Sequence, residues 1–305
     1  MQDKKKLIIE CGPDSLAPFK LTANSSLLDQ ISSAKRHADS HNIDLEITIY
    51  SSIMSQLSGG REKVSSGKVM NKSLFEMEKI IDSLNSNGIL FNLTLNGGLR
   101  FDLDLDARIL HELDPALSLL VNIGRAHGAK NFVTITHPRL FDFIKQEYSE
   151  LGTIASCIQT LYPFYRYDYS ETFKKYDYVV PLNQHATPRF LAEYKNYYHK
   201  MILFLTLGCG TSNLKKCYLH YFEIESEYIL NNETTKPLST KLLNPIQNQL
   251  TENDYDCDNG DLLSRENDLI GMILMRVNKF KIPRNGVLKK SSFLKLINFI
   301  NKYGP

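Results

Sequence analysis

The chain has 305 residues, of which 42% are apolar and 23% charged, and its formal net charge is +2. That balance excludes wholesale disorder and gives no global electrostatic indication of a nucleic-acid or anionic-membrane partner. No run approaches the roughly 20 uninterrupted apolar residues of a spanning helix, and Glu10 interrupts the first apolar run after the basic start, so a cytoplasmic protein without a membrane span is expected.

Strand-length apolar runs then alternate with segments of helical period almost to the end. The strands are expected at Leu7–Cys11, Leu45–Tyr50, Ile89–Leu95, Asn131–Thr136, Thr153–Ile158, Tyr178–Leu182, Met201–Leu207 and Lys279–Ile282. Between them, helical spacing covers Ser26–Ser40, Lys72–Asn85, Ala107–His127, Arg139–Leu151, Tyr169–Tyr176 and Pro188–Tyr198. Asn87-Gly88 and Gly152 stand where a helix is expected to stop before its next strand. Eight such β/α repeats predict an α/β fold, a (β/α)8 TIM-like barrel forming a single domain over residues 1–305. The connection after the seventh strand is unusually long and polar, an irregular insertion at about 208–275. An open doubly wound sheet is the competing fold, but no early strand is followed by Gly-x-Gly-x-x-Gly.

The long connection carries the chemistry. Gly208-Cys209-Gly210 ends the seventh strand, Cys217 and His220 follow, and Cys257 lies in an acidic stretch beyond. Thiolates are soft ligands, so Cys209, Cys217 and Cys257, with His220, form a candidate set for an iron–sulfur cluster, or for zinc in a Cys3His tetrahedron. The bland alternative is that Cys209 and Cys217 are small buried residues packing beneath the loop, with Cys257 exposed and unrelated. Five scattered cysteines do not suggest a secreted disulfide framework, and Cys11 and Cys157, within strand runs, read as core.

Two arginines are candidates for holding an anionic substrate. Arg61 follows Gly59-Gly60 after the second strand, where backbone freedom lets a guanidinium approach a carboxylate or phosphate, and Arg284 follows the last strand. His137 ends the fourth strand, at the rim where barrel enzymes carry their working groups, and is a candidate general base or ligand. A solvated Arg61 and a hydrogen-bonded structural His137 are the bland readings. Glu10 projects from the first strand and needs a partner such as Arg284 or Lys281.

Several junctions resemble the collagenase-like peptidase family of unassigned catalytic type (peptidase family U 32), in particular its divergent barrel-only members. The residues concerned are Ile49-Tyr50-Ser51-Ser52 with Gly59-Gly60-Arg61, Phe91-Asn92-Leu93-Thr94-Leu95-Asn96, Gly208-Cys209 with Cys217 and His220-Tyr221, and Phe280-Lys281-Ile282-Pro283-Arg284. The resemblance implies a (β/α)8-type barrel. It also implies, for members with cluster-binding cysteines, oxygen-insertion chemistry on RNA bases or quinone precursors. This chain departs from the pattern in having proline at position 283 where the family has glycine, and three candidate cysteines instead of four. A cluster would take His220, a small ligand or an open iron site as its fourth partner.

Standard hydrolase signatures are missing: there is no Gly-x-Ser-x-Gly elbow and no His-Glu-x-x-His helix. The acidic run Asp254–Gly260 fails as a calcium loop because its glycine comes one residue late and the closing glutamate is absent. The sequence therefore predicts a metal- or cluster-dependent barrel enzyme of oxidoreductase or hydroxylase type, acting on a small or medium anionic substrate. A non-catalytic accessory barrel is the alternative, and a peptidase carries the least support.

Overall fold

The computed structural model of the chain describes residues 4–52, 68–95, 107–157, 159, 167–182, 187–205, 262–263, 265–282 and 288–304, with backbone alone for 68–73 and 107–112. Along the chain the strands are β1 (Lys5–Cys11), β2 (Ile43–Ser51), β3 (Leu90–Leu95), β4 (Phe132–Ile135), β5 (Gly152–Ala155), β6 (Tyr178–Val179), β7 (Leu203–Phe204) and β8 (Lys279–Lys281). The helices are α1 (Leu27–Asp39), α2 (Lys68–Asn85), α3 (Ala107–His127), α4 (Pro138–Glu147), α5 (Tyr169–Lys175), α6 (Pro188–Glu193), α7 (Glu266–Leu274) and α8 (Lys290–Tyr303). This is the β/α alternation of the (β/α)8 class, and each expected strand is present. No helix among the described residues is long and apolar enough to cross a membrane.

The chain divides into two compact units, the first comprising Met1–Tyr50, Tyr178–Gly210 and Cys257–Pro305, the second Ser51–Asp177 and Thr211–Asp256. In the first unit β2, β1, β8 and β7 lie side by side, all parallel, and a single parallel bridge joins Val179 to Met201. Because side chains alternate along a strand, the register sorts residues onto two faces. One face is apolar: Leu7, Ile9 and Cys11 of β1 stand beside Leu45, Ile47 and Ile49 of β2 and Phe280 of β8, all buried. Helix α8 lies against β1 and contributes Phe293, Leu296, Ile297 and Ile300 at helical spacing. Phe293 meets Phe19, from the 3-10 turn Pro13–Phe19, edge to face at 5.2 Å. Helix α1 starts sharply because Ser26 and Asp29 form a capping box: each side chain accepts the other's backbone N–H, at 3.2 and 2.8 Å.

In the second unit β3, β4 and β5 are parallel neighbours. Their outer positions, Leu93, Leu95, Val133, Ile135 and Ala155, are buried. The amide of Asn131 organises the entry to these strands. Its Oδ1 accepts from Phe91 N and Asn85 Nδ2, both at 3.0 Å, and its Nδ2 donates to Asn85 Oδ1 at 2.7 Å and the Leu120 carbonyl at 3.1 Å. A buried amide with every donor and acceptor used ties α2 and α3 to the sheet without an orphaned polar atom. Asp177 fastens the amino end of β5, accepting from Thr153 N at 2.8 Å and from Lys130 and Lys145. Although burial works in the opposite direction, the Thr153 amide and the two lysines hold its carboxyl down at about 2.

Two glycines show different reasons for being glycine. Gly88 takes φ +66° and ends α2, as its sequence predicts. Gly152 does not stop a helix: it opens β5, and a Cβ there would lie 2.2 Å from the Phe132 ring. The ring of one strand fills the space a side chain would take on the next. Gly152→Ala is expected to destabilise the protein by roughly 1–3 kcal/mol through overpacking, and Phe132→Leu in the same chain to restore part of the loss; urea unfolding of both variants checks this, and an unchanged midpoint for Gly152→Ala would contradict the packing described.

Candidate functional site at the carboxyl ends of the strands

On the second face of the first unit the register brings charged residues together. Lys6, Ile8 and Glu10 of β1 stand opposite Asp44, Glu46 and Thr48 of β2, while Lys279 and Lys281 of β8 stand beside Ile8 and Glu10. At the amino end the charges are solvated, as in the exposed Lys6–Glu46 pair at 2.6 Å. Toward the carboxyl end they are sealed. Glu10 is 3% exposed and Lys281 7%, and the two form a direct ion pair.

Among the described residues, the partner of Glu10 is Lys281. The Lys281 ammonium also lies 4.3 Å from the centroid of the Tyr50 ring, and the Tyr50 hydroxyl donates to the Ile282 carbonyl at 2.8 Å. The π face attracts the ammonium charge, while the hydroxyl bond holds the ring in place. Neighbouring Cys11 is fully buried; burial, reinforced by the Glu10 charge and opposed by Lys281, pushes its thiol well above the usual range, so it remains a protonated core residue. Cys157 is buried as well.

Lys279, two residues before Lys281, has a different environment. Its Nζ donates to the His199 carbonyl at 2.9 Å and lies 3.5 Å from the Tyr178 ring centroid. Burial, aided by Lys6 and opposed by Glu46, brings this amine down to about 8.

The second unit carries a neutral polar counterpart. Asn92 Nδ2 donates to Thr134 Oγ1 at 2.9 Å across the β3–β4 ladder, and Thr94 Oγ1 donates to the Ser51 carbonyl at 3.0 Å. Gln159 Nε2 donates to the Ile135 carbonyl and to the Tyr176 hydroxyl, both at 3.0 Å. Beyond β4, Thr136 Oγ1 is buried and has no hydrogen-bond partner among the described residues.

His137 caps α4: its Nδ1 accepts from Arg139 N at 3.2 Å, with Pro138 at the first helical position where no N–H is needed. A neutral imidazole whose Nδ1 lone pair is so engaged carries its proton on Nε2.

The remaining sequence candidates, Arg61, Arg284, Cys209, Cys217, Cys257 and His220, lie outside the described residues. Among the described residues no group of three or more His, Cys, Asp or Glu is placed to hold a metal ion. Arg265, which was not a candidate in the sequence, has buried guanidinium nitrogens without a partner among the described residues. Its only sequence-level signal is a position just ahead of the apolar spacing Leu269, Met272, Ile273.

No protein family matches the chain, and no curated protein matches it. Among solved structures, the chain is similar to the spore cortex-lytic enzyme SleL of Bacillus megaterium QM B1551, at TM-score 0.43 and 10% identity, covering 98% of this chain and 75% of that one. A dihydropteroate synthase of Yersinia pestis in a sulfonamide complex is similar at TM-score 0.35 and 13% identity, covering 99% and 95%. The GH5 xyloglucanase of Bacteroides ovatus is similar at TM-score 0.33 and 11% identity, covering 97% and 64%.

Breaking the buried pair from one side leaves an uncompensated charge, whereas replacing both members leaves none. Glu10→Leu alone is expected to cost about 3–5 kcal/mol, and Glu10→Leu/Lys281→Met to recover most of it. Denaturant unfolding of the single and double variants checks this; a double variant as unstable as the single would mean that the pair itself carries the stability.

Proposed function

We propose that the chain is a (β/α)8 barrel enzyme that takes a small or medium anionic substrate at the carboxyl ends of its strands. One observation carries the reading: a lysine and a glutamate are buried as an ion pair at the ends of β8 and β1, where an apolar pair would serve stability as well. An ammonium has three N–H donors, of which Glu10 takes one. Lys281 is thus the cation to which an anionic oxygen binds, with Glu10 and Tyr50 beside it in a dry setting.

The finer part of the proposal comes from the sequence. Cys209, Cys217 and Cys257, with His220, are the donors that would hold an iron–sulfur cluster, or zinc, and their thiolate chemistry suits either. Iron in that set would supply redox chemistry, placing the enzyme among those that transfer oxygen or electrons in biosynthesis or modification. Arg61 and Arg284 would add to the hold on the anion.

The test uses one preparation. Protein purified without oxygen is assayed for iron, acid-labile sulfide and zinc, then melted against a panel of phosphorylated and carboxylated metabolites. At least one anion is expected to raise the melting temperature of the wild type by about 2 °C or more through mass action and to leave Glu10→Leu/Lys281→Met unmoved. Equal shifts in both proteins would defeat the anion site; a metal-free, sulfide-free wild type would remove the cluster and zinc.

A further inference from the structure

Arg265 stands immediately before α7, with its backbone held on both sides: its N–H donates to the Leu262 carbonyl at 3.2 Å and its own carbonyl accepts from Leu269 N at 3.0 Å. Its Nη1 donates to Asp268 Oδ2 at 3.2 Å. The opposite edge of the guanidinium, Nε and Nη2, is buried and has no hydrogen-bond partner among the described residues. That edge is a planar pair of parallel donors, the fork that matches two oxygens of one carboxylate or phosphate. A buried charged donor left unpaired is costly, more so than a neutral one. Such an edge is most simply understood as half of a contact that a ligand completes.

The surroundings agree. Helix α7 has nine residues and no side-chain cap at its start, so its first N–H groups add positive potential there. Both acids of its first turn are already neutralised, Glu266 by Lys295 at 2.5 Å and Asp268 by Arg265 itself. Topology supplies the location. In a β/α succession a helix starts at the carboxyl end of the strands and finishes at the amino end of the next strand, and α7 leads into β8. Arg265 therefore stands at the end of the first unit on which Lys281 and Glu10 terminate their strands.

We infer that the Nε–Nη2 edge of Arg265 is an oxyanion subsite, holding the carboxylate or phosphate group of the substrate by a bidentate contact. This rests on the reading of the carboxyl rim as the site and names the group that grips the anion there.

The test is isothermal titration and thermal unfolding of the full chain with inorganic phosphate and, separately, with citrate. The proteins are wild type, Arg265→Lys, Arg265→Met and Glu10→Leu/Lys281→Met. Wild type is expected to bind at least one of the two anions, and which one it binds distinguishes a phosphate group from a carboxylate. Both Arg265 variants are expected to bind about tenfold more weakly or worse, since one charge-assisted bidentate contact is lost. Without anion, Arg265→Met is expected to melt close to wild type, because the unsatisfied Nε–Nη2 edge is removed together with the part-exposed Asp268 pair.

Binding that survives in both Arg265 variants but is lost in the double variant overturns the subsite and leaves Lys281 as the anion's partner. Binding lost in the Arg265 variants and kept in the double variant supports the subsite and overturns the role given to Lys281. A melting temperature that falls in Arg265→Met with unchanged anion affinity overturns the subsite and makes Arg265 a structural partner of Asp268. If the wild type binds neither probe, the subsite falls, while the metabolite panel still decides the role of Lys281.

Discussion

A carboxylate and an ammonium buried against each other at the ends of two adjacent parallel strands constrain everything near them in the first unit. Each charge would be very costly without the other. The pair exists only if β1 and β8 keep the register that sets Glu10 beside Lys281. A slip of one residue would exchange the faces, sending Glu10 and Lys281 into the apolar layer of Leu7, Ile9 and Phe280. The pair thus acts as a register pin for the strands that carry it. Tyr50 extends the constraint to β2, because its ring faces the lysine while its hydroxyl is bonded to the backbone just after β8.

The two units meet polar burial in different ways. In the first, charges compensate one another and are few. In the second, neutral groups satisfy one another through reciprocal amide and hydroxyl bonds, as in Asn131 with Asn85 and Asn92 with Thr134. A neutral network holds geometry without a field; an ion pair supplies a field that a substrate can use.

Much of the fold was legible in the sequence because each strand is a short apolar run bounded by a helix with matching period. The run at Leu45–Tyr50 could be read for face as well as for existence, since Leu45-Glu46-Ile47-Thr48-Ile49 alternates in polarity. Less legible were α7 and α8. Helix α7 lies at the end of a polar connection, and its buried Leu269, Met272 and Ile273 make only a brief stripe. The lysines of α8 disguise an apolar face that becomes evident only when Phe293 meets Phe19. Gly152 illustrates a further limit: glycine after a helix suggests a cap, but here the neighbouring strand's Phe132 dictates it, and cross-strand sterics leave no local mark. At the site, a partner for Glu10 was predictable from the cost of a lone buried carboxylate. The choice of Lys281 needed the register. Arg265 was invisible because an unused guanidinium edge is a property of surroundings, not of sequence.

The central claim is that Lys281 is an anion's partner as well as Glu10's. The most direct measurement is a crystal structure of the chain grown with the anion that raises its melting temperature most. The account predicts ligand oxygen within hydrogen-bond distance of Lys281 Nζ, with Glu10 and Tyr50 still in contact with that amine. An anion bound elsewhere, beside a Lys281 that remains closed off by Glu10 and apolar neighbours, would contradict it.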